Sequence, residues 1–169
     1  MSRLVNLRVI LATVALSCWP AAGRAGPPEH PYRDSVSGEV TELDTSNFPA
    51  VYQEYEATGK SNPFGPIGIA GSHILTFDPP PGPGEEGAHG SVVGQFTTTT
   101  RDGSTISGAY SGAFVRVEGV VLFALHVEFG EGTGRLEGVT GEAVTFVTAS
   151  GPSEGDSFTW ISKGFLSFP

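Results

Sequence analysis

Between Glu128 and Gly141 the chain reads EFGEGTGRLEGVTG, with glycine at 130, 132, 134, 138 and 141. A strand-like run ends at Phe129, and Leu136 and Val139 then sit among the glycines. Glycine accepts positive φ and lets two backbones approach closely. Such a run therefore suits a sharply bent β-hairpin at the rim of a barrel.

The rest of the chain carries strand signals. Candidate strands, rich in β-branched and aromatic residues and bounded by turn residues, cover 36–43, 51–60, 72–77, 91–99, 104–112, 136–149 and 157–168. Residues 114–129 form one more, or two strands broken near Gly119. Arg101-Asp102-Gly103 reads as a hairpin turn, because Asp and Gly tolerate positive φ. Clean helical periodicity is absent, and residues 47–53 offer at most one short helical turn near Pro49. The expected class is all-β, an antiparallel barrel or sandwich. Closure is favoured, because strands this long and apolar are adhesive when their edges are bare.

Residues 1–25 read as a signal peptide. Arg3 and Arg8 precede an apolar run, VILATVAL at 9–16, that is too short to anchor in a bilayer. Cleavage is expected after Ala25, with Ala22 as the second choice, and the protein is expected to be secreted or periplasmic. Lipid anchoring at Cys18 is disfavoured, since Ala15 stands where a lipoprotein needs a Leu-like residue. Cys18 is the only cysteine, so its removal with the signal leaves no thiol for disulfide, metal or nucleophilic chemistry. Residues 26–34 read as a disordered leader, and 35–169 as one domain. Beyond residue 25 six basic residues face eighteen acidic ones, a net charge near −12. That balance disfavours nucleic acid and anionic membrane as partners.

Two stretches read as irregular. Residues 78–90, DPPPGPGEEGAHG, form a surface loop or a lid over one barrel mouth, and residues 62–71 tuck Phe64, Ile67 and Ile69 against a barrel end. In 121–129 the odd positions are all apolar and form the expected core face, which turns His126 and Glu128 outward or into a subunit contact. Several strands are partly apolar on both faces, which points to cover by loops or by another subunit. Phe96, Ile106, Tyr110, Phe123, Phe146 and Trp160 are the candidate interior residues. They can pack as plain core or enclose one small apolar ligand.

Signatures of chemistry are sparse. His73, His89 and His126 are widely spaced, and neither a zinc motif nor a calcium loop is present, so no metal or cofactor is expected. His126 and Glu128 share a strand face but need a third ligand. Gly108 to Gly112 (GAYSG) only approximates a nucleophile elbow, with Tyr110 in the central place. Glu54, Glu56, Glu128 and Glu137 are available as paired carboxylates, although no two are placed by sequence. No catalytic residue is assigned.

The run from GAHG at 87–90 through VGQFT at 93–97, the turn at 101–103, GAYSG at 108–112 and the glycine corner at 130–141 resembles the secreted bacterial branch of the allene oxide cyclase/dirigent-like β-barrel family. The resemblance covers about the last half of the chain. It implies a calycin-type, eight-stranded antiparallel barrel, often a homo-oligomeric trimer, whose cavity takes an apolar substrate without a cofactor. Leu136 stands where that family usually has Phe, and Glu137 and Val139 replace small residues. No family catalytic residue maps onto this chain. Three functions are therefore expected in order: a barrel binding a small apolar ligand or acting as an envelope interaction module; a cofactor-free isomerase or cyclase; and a structural domain with a filled barrel.

Overall fold

The computed structural model describes residues 28–78, 86–151 and 153–169. The expected signal peptide, Cys18, the start of the leader and residues 79–85 of the proline-rich loop lie outside them. Eight strands run in chain order: β1 (Glu29–Asp44), β2 (Ala50–Asn62), β3 (Gly65–Phe77), β4 (His89–Thr100), β5 (Thr105–Val117), β6 (Val120–Gly132), β7 (Thr140–Ala149) and β8 (Ser157–Ser167). Each pairs with its sequence neighbours, and β1 pairs antiparallel with β8, closing the barrel as the strand patterning predicts.

Period-2 alternation decides which side chains go inside. On β2, Val51, Gln53, Tyr55 and Ala57 are buried, while Glu54, Glu56 and Thr58 are exposed. On β6, Val121, Phe123, Leu125, Val127 and Phe129 fill the core, and Glu128 faces out, as their parity predicts. Closure gives every strand two neighbours and leaves no open edge.

Several expected boundaries move. Residues 29–34 are strand, not disordered leader: Tyr32 and Asp34 are buried, and β1 pairs with β8 from Glu29 onward. Pairing with β2 begins only at Arg33, so Pro31 sits where β1 has a neighbour on one side alone. Residues 65–71 are likewise strand. Ile67 and Ile69 point inward, while the intervening Pro66, Gly68 and Ala70 mask the alternation. No helical turn forms at 47–53; a turn occupies 46–49 and β2 starts at Ala50. The 114–129 run breaks at Glu118-Gly119, whose φ angles of 52° and 83° make a two-residue hairpin turn, so residues 114–117 complete β5.

The two ends of the barrel differ. One is sealed by the glycine corner. After β6 the chain makes a single 3₁₀ turn at Gly134–Leu136, and β7 starts only at Thr140. Leu136 and Val139 are fully enclosed there, with Phe64, Ile106 and Leu166 also in the core. Gly132 is required at this corner, because a Cβ would lie 2.0 Å from the Leu136 carbonyl oxygen. Arg135 ties the corner to the β4–β5 turn through Asp102 at 2.8 Å. The opposite end carries the β1–β2, β3–β4, β5–β6 and β7–β8 connections. Two of these run along the rim: Arg116 N–H donates to the Ala88 carbonyl at 2.7 Å, and Gly155 N–H to the Val40 carbonyl at 2.8 Å.

Candidate functional site

A cavity of about 50 Å³ lies inside this second end. Inward positions of seven strands (Val40, Leu75, Phe114, Val121, Phe123, Val147 and Phe158 among them) make its wall almost wholly apolar. Ala88 and Gly151, from the two rim connections, narrow the mouth. By comparison, one water needs about 10–15 Å³ of such volume, so the cavity has room for about four water-sized groups.

Four polar side chains interrupt the apolar wall: Gln53, Tyr55, His73 and Tyr110. They come from β2, β3 and β5. His73 Nε2 lies 2.7 Å from Gln53 Oε1, and His73 Nδ1 lies 2.8 Å from the Tyr110 hydroxyl. A neutral ring satisfies both contacts when Nε2–H donates to Gln53 and Nδ1 accepts the tyrosine O–H. Burial enforces the same state, pushing the His73 pKa down from 6.5 to about 4. Desolvation likewise raises the Tyr55 and Tyr110 phenols, so both stay protonated at neutral pH.

Tyr55 is the anomaly in this cluster. It is 4% exposed, yet its hydroxyl makes no well-formed hydrogen bond; its side-chain neighbour is the Tyr110 hydroxyl, which already engages His73. An unmade bond at a buried hydroxyl costs about 1–3 kcal/mol, so such a group calls for an explanation. Two inward glycines allow the tyrosines to sit where they do. A Cβ on Gly71 would approach the Tyr55 hydroxyl to 2.5 Å, and one on Gly94 would approach the Tyr110 ring to 2.5 Å. The ring of His73 stacks obliquely on Tyr55 and Phe123, with centroids 5.7 and 6.1 Å away.

Arg116 completes the lining, at the mouth. It follows Phe114 by two residues on β5 and so shares its inward parity. Its Nε is buried and unpartnered, and among the described residues no carboxylate forms an ion pair with it.

A second polar cluster lies deeper and meets the cavity lining only at Trp160. Tyr32 O–H donates to Asp34 Oδ2 at 2.6 Å, and Ser162 N–H donates to Asp34 Oδ1 at 2.9 Å. Ser162 Oγ also accepts from Trp160 Nε1 and contacts Thr145 Oγ1 at 2.7 Å. Burial raises the Asp34 pKa, and these hydrogen bonds oppose that rise. Both carboxylate oxygens are occupied by protein donors, so this network fastens β1 to β8.

Of the six candidate interior residues, Tyr110, Phe123 and Trp160 line the cavity. Phe96 and Ile106 are buried but lie outside that lining. Phe146 is a correction: it is 54% exposed on the outer wall, because Ala143 and Thr145 set the inward parity of β7. The four polar residues that sequence reasoning missed, Gln53, Tyr55, His73 and Arg116, all occupy inward positions of strands. Parity was the available signal: His73 precedes Leu75 and Phe77 by two and four residues. The outward histidine, His126, lies 3.9 Å from Glu128 on its own strand and 3.5 Å from Glu142 across the β6–β7 pair. Among the described residues no group of three or more His, Cys, Asp or Glu side chains is placed to hold a metal ion. Glu54, Glu56, Glu128 and Glu137 are all exposed. No helix among the described residues is long and apolar enough to cross a membrane. No family model, curated protein or solved structure matches the chain.

Proposed function

We propose that this chain is a binding barrel for a compact, mostly apolar molecule that carries an acceptor oxygen. One observation carries the reading: the buried Tyr55 hydroxyl, beside Tyr110 but without a well-formed hydrogen bond, lies on the wall of a cavity that opens at one barrel end. An acceptor oxygen on a guest would take that O–H, and the apolar wall would hold the remainder. The small void limits the guest to a few heavy atoms at depth, with the rest extending toward the mouth. The resemblance to allene oxide cyclase and dirigent-like barrels supports the same reading, and the signal-like N-terminus supports action outside the cytoplasm. Trp160 lines the cavity and is the sole tryptophan among the described residues, so its emission reports occupancy. Titration with 2-hexanone is expected to shift that emission saturably. Tyr55→Phe is expected to weaken binding about tenfold, the worth of one buried hydrogen bond. An unchanged emission up to the solubility limit of the ketone rejects the reading.

A cofactor-free isomerase is the second reading, favoured by the hydrogen-bonded chain of Tyr110, His73 and Gln53 at the cavity wall. Exchange of the α-protons of 2-hexanone in heavy water separates the two readings. Acceleration by the protein that His73→Gln abolishes favours the isomerase; background exchange favours simple binding. Self-association is part of the same proposal. Val144, Phe146, Ile161 and Phe165 are each about half exposed, and Phe146 lies directly opposite Ile161. Native mass spectrometry of protein from its own host reads both the subunit number and any retained small molecule.

A further inference from the structure

From the outer wall of β6 and β7 we infer a zinc half-site: His126 and Glu142 supply two ligands, and a second copy of this chain supplies the other two. The inference rests on the self-association reading above and names what completes that contact. His126 Nε2 lies 3.5 Å from Glu142 Oε2. A tetrahedral zinc with one nitrogen and one oxygen ligand at ordinary bond lengths holds those two atoms about 3.4 Å apart. The pair already stands at ligand spacing. On its other side the ring meets Glu128, with Nδ1 3.9 Å from Oε1. That carboxylate does not share an ion held at Nε2, since the two ring nitrogens point apart. A small side-chain rotation lets it take Nδ1–H, the outer contact that fixes the tautomer of a ligating imidazole and raises its basicity.

The register explains why a cation belongs here. Glu128 and Glu142 stand directly opposite each other on the β6–β7 pair, and His126 faces Val144 beside them. Like charges directly opposite across a ladder repel. Among the described residues the His126 ring alone lies within ion-pair distance of these carboxylates, and it is charged only when protonated. Lys163, across from Val144 on β8, forms no ion pair with them. All three side chains are open to solvent, His126 at 36% and the glutamates more so. One chain offers two ligands, fewer than a zinc ion needs, and a single barrel accordingly holds no complete site among its described residues. A two-fold axis passing beside His126 and Glu142 brings the same pair from a second barrel, because an isologous contact sets one patch against itself. Two imidazoles and two carboxylates then close a four-coordinate set. Without the metal that same contact crowds carboxylates from both chains and is repulsive. The adjoining apolar surface favours association but is small. Val144, Phe146, Ile161 and Phe165 are four side chains, whereas a standard interface draws about 20–30 residues from each partner. The metal adds the bond that this area lacks. Imidazole with carboxylate suits zinc better than magnesium, which takes oxygen ligands and keeps its waters.

Sedimentation velocity on protein stripped with EDTA, then given zinc chloride or magnesium chloride, tests the assignment. The stripped protein is expected to sediment as a monomer. Zinc should convert it to a dimer at one ion per two chains, and magnesium should leave it unchanged. His126→Ala and Glu142→Gln should each stay monomeric in zinc. Both side chains are solvent-exposed, so urea midpoints near the wild-type value show that these variants are folded. Glu128→Gln should still dimerise but need about tenfold more zinc, the usual effect of losing an outer carboxylate. A zinc-induced dimer that survives His126→Ala, or zinc bound one per chain without association, overturns the metal assignment. A dimer that persists unchanged in EDTA also overturns it and leaves the self-association reading standing. A protein that stays monomeric with and without zinc overturns both.

Discussion

At His73 the strand pattern and the chemistry of burial act on the same atom. Its parity on β3 directs the ring into the barrel, where desolvation disfavours the charged form and lowers its pKa to about 4. The unfolded chain binds that proton near 6.5. Stability from the neutral ring is therefore intact above pH 6.5 and lost as pH falls toward 4, because the unfolded state is protonated first. The loss is on the order of 3 kcal/mol by the linkage relation. Urea midpoints measured from pH 7.5 to 4 should fall more steeply for the wild type than for His73→Gln. Parallel profiles would contradict the assigned state of the ring. Phe146 shows the opposite lesson at this scale. Its bulk suggested the interior, yet on a strand with period-2 alternation size does not choose the face; the parity of the small residues Ala143 and Thr145 does.

The glycine corner shows how an element can be legible in location and hidden in form. The run at 130–141 predicts a sharply bent hairpin, and a tight corner is there. Its 3₁₀ turn and the inward plug of Leu136 and Val139 come from contacts with the barrel end, which no local pattern contains. Leu136→Ala should cost about 2–5 kcal/mol, since a fully enclosed leucine leaves a cavity that the closed rim cannot collapse to fill. A thermal midpoint within a degree of wild type would show that the corner does not seal the end. The first half of β3 is hidden in the sequence for a related reason. Pro66, Gly68 and Ala70 hold the outward places beside Ile67 and Ile69, so the usual polar-out signal is missing although the inward half of the alternation is intact. The Asp102-Gly103 turn, by contrast, was plain, because its φ requirement is local: Gly103 adopts φ 83°.

For the molecule as a whole, closure turns eight ribbons into one cooperative unit, and the β1–β8 seam completes it. Asp34 spans that seam by accepting from Tyr32 and from the Ser162 backbone. Asp34→Ala should cost about 2–4 kcal/mol in urea unfolding, because it leaves a buried N–H and a buried phenol without partners. Asp34→Asn, which keeps an acceptor oxygen, should cost less. Equal midpoints for all three proteins would remove the seam from the account of stability. The sequence alone determined the strand class, the Asp102-Gly103 turn and the inward face of β6, because these depend on periodicity and on the φ tolerance of glycine and aspartate, both local properties. Tertiary structure alone decided that residues 29–34 close the barrel, that one end is plugged and the other hollow, and that Gln53, Tyr55, His73, Tyr110 and Arg116 converge on one cavity. Those residues lie on three different strands, and side chains so distant in sequence acquire a common environment only when closure fixes the register of every strand against its neighbours.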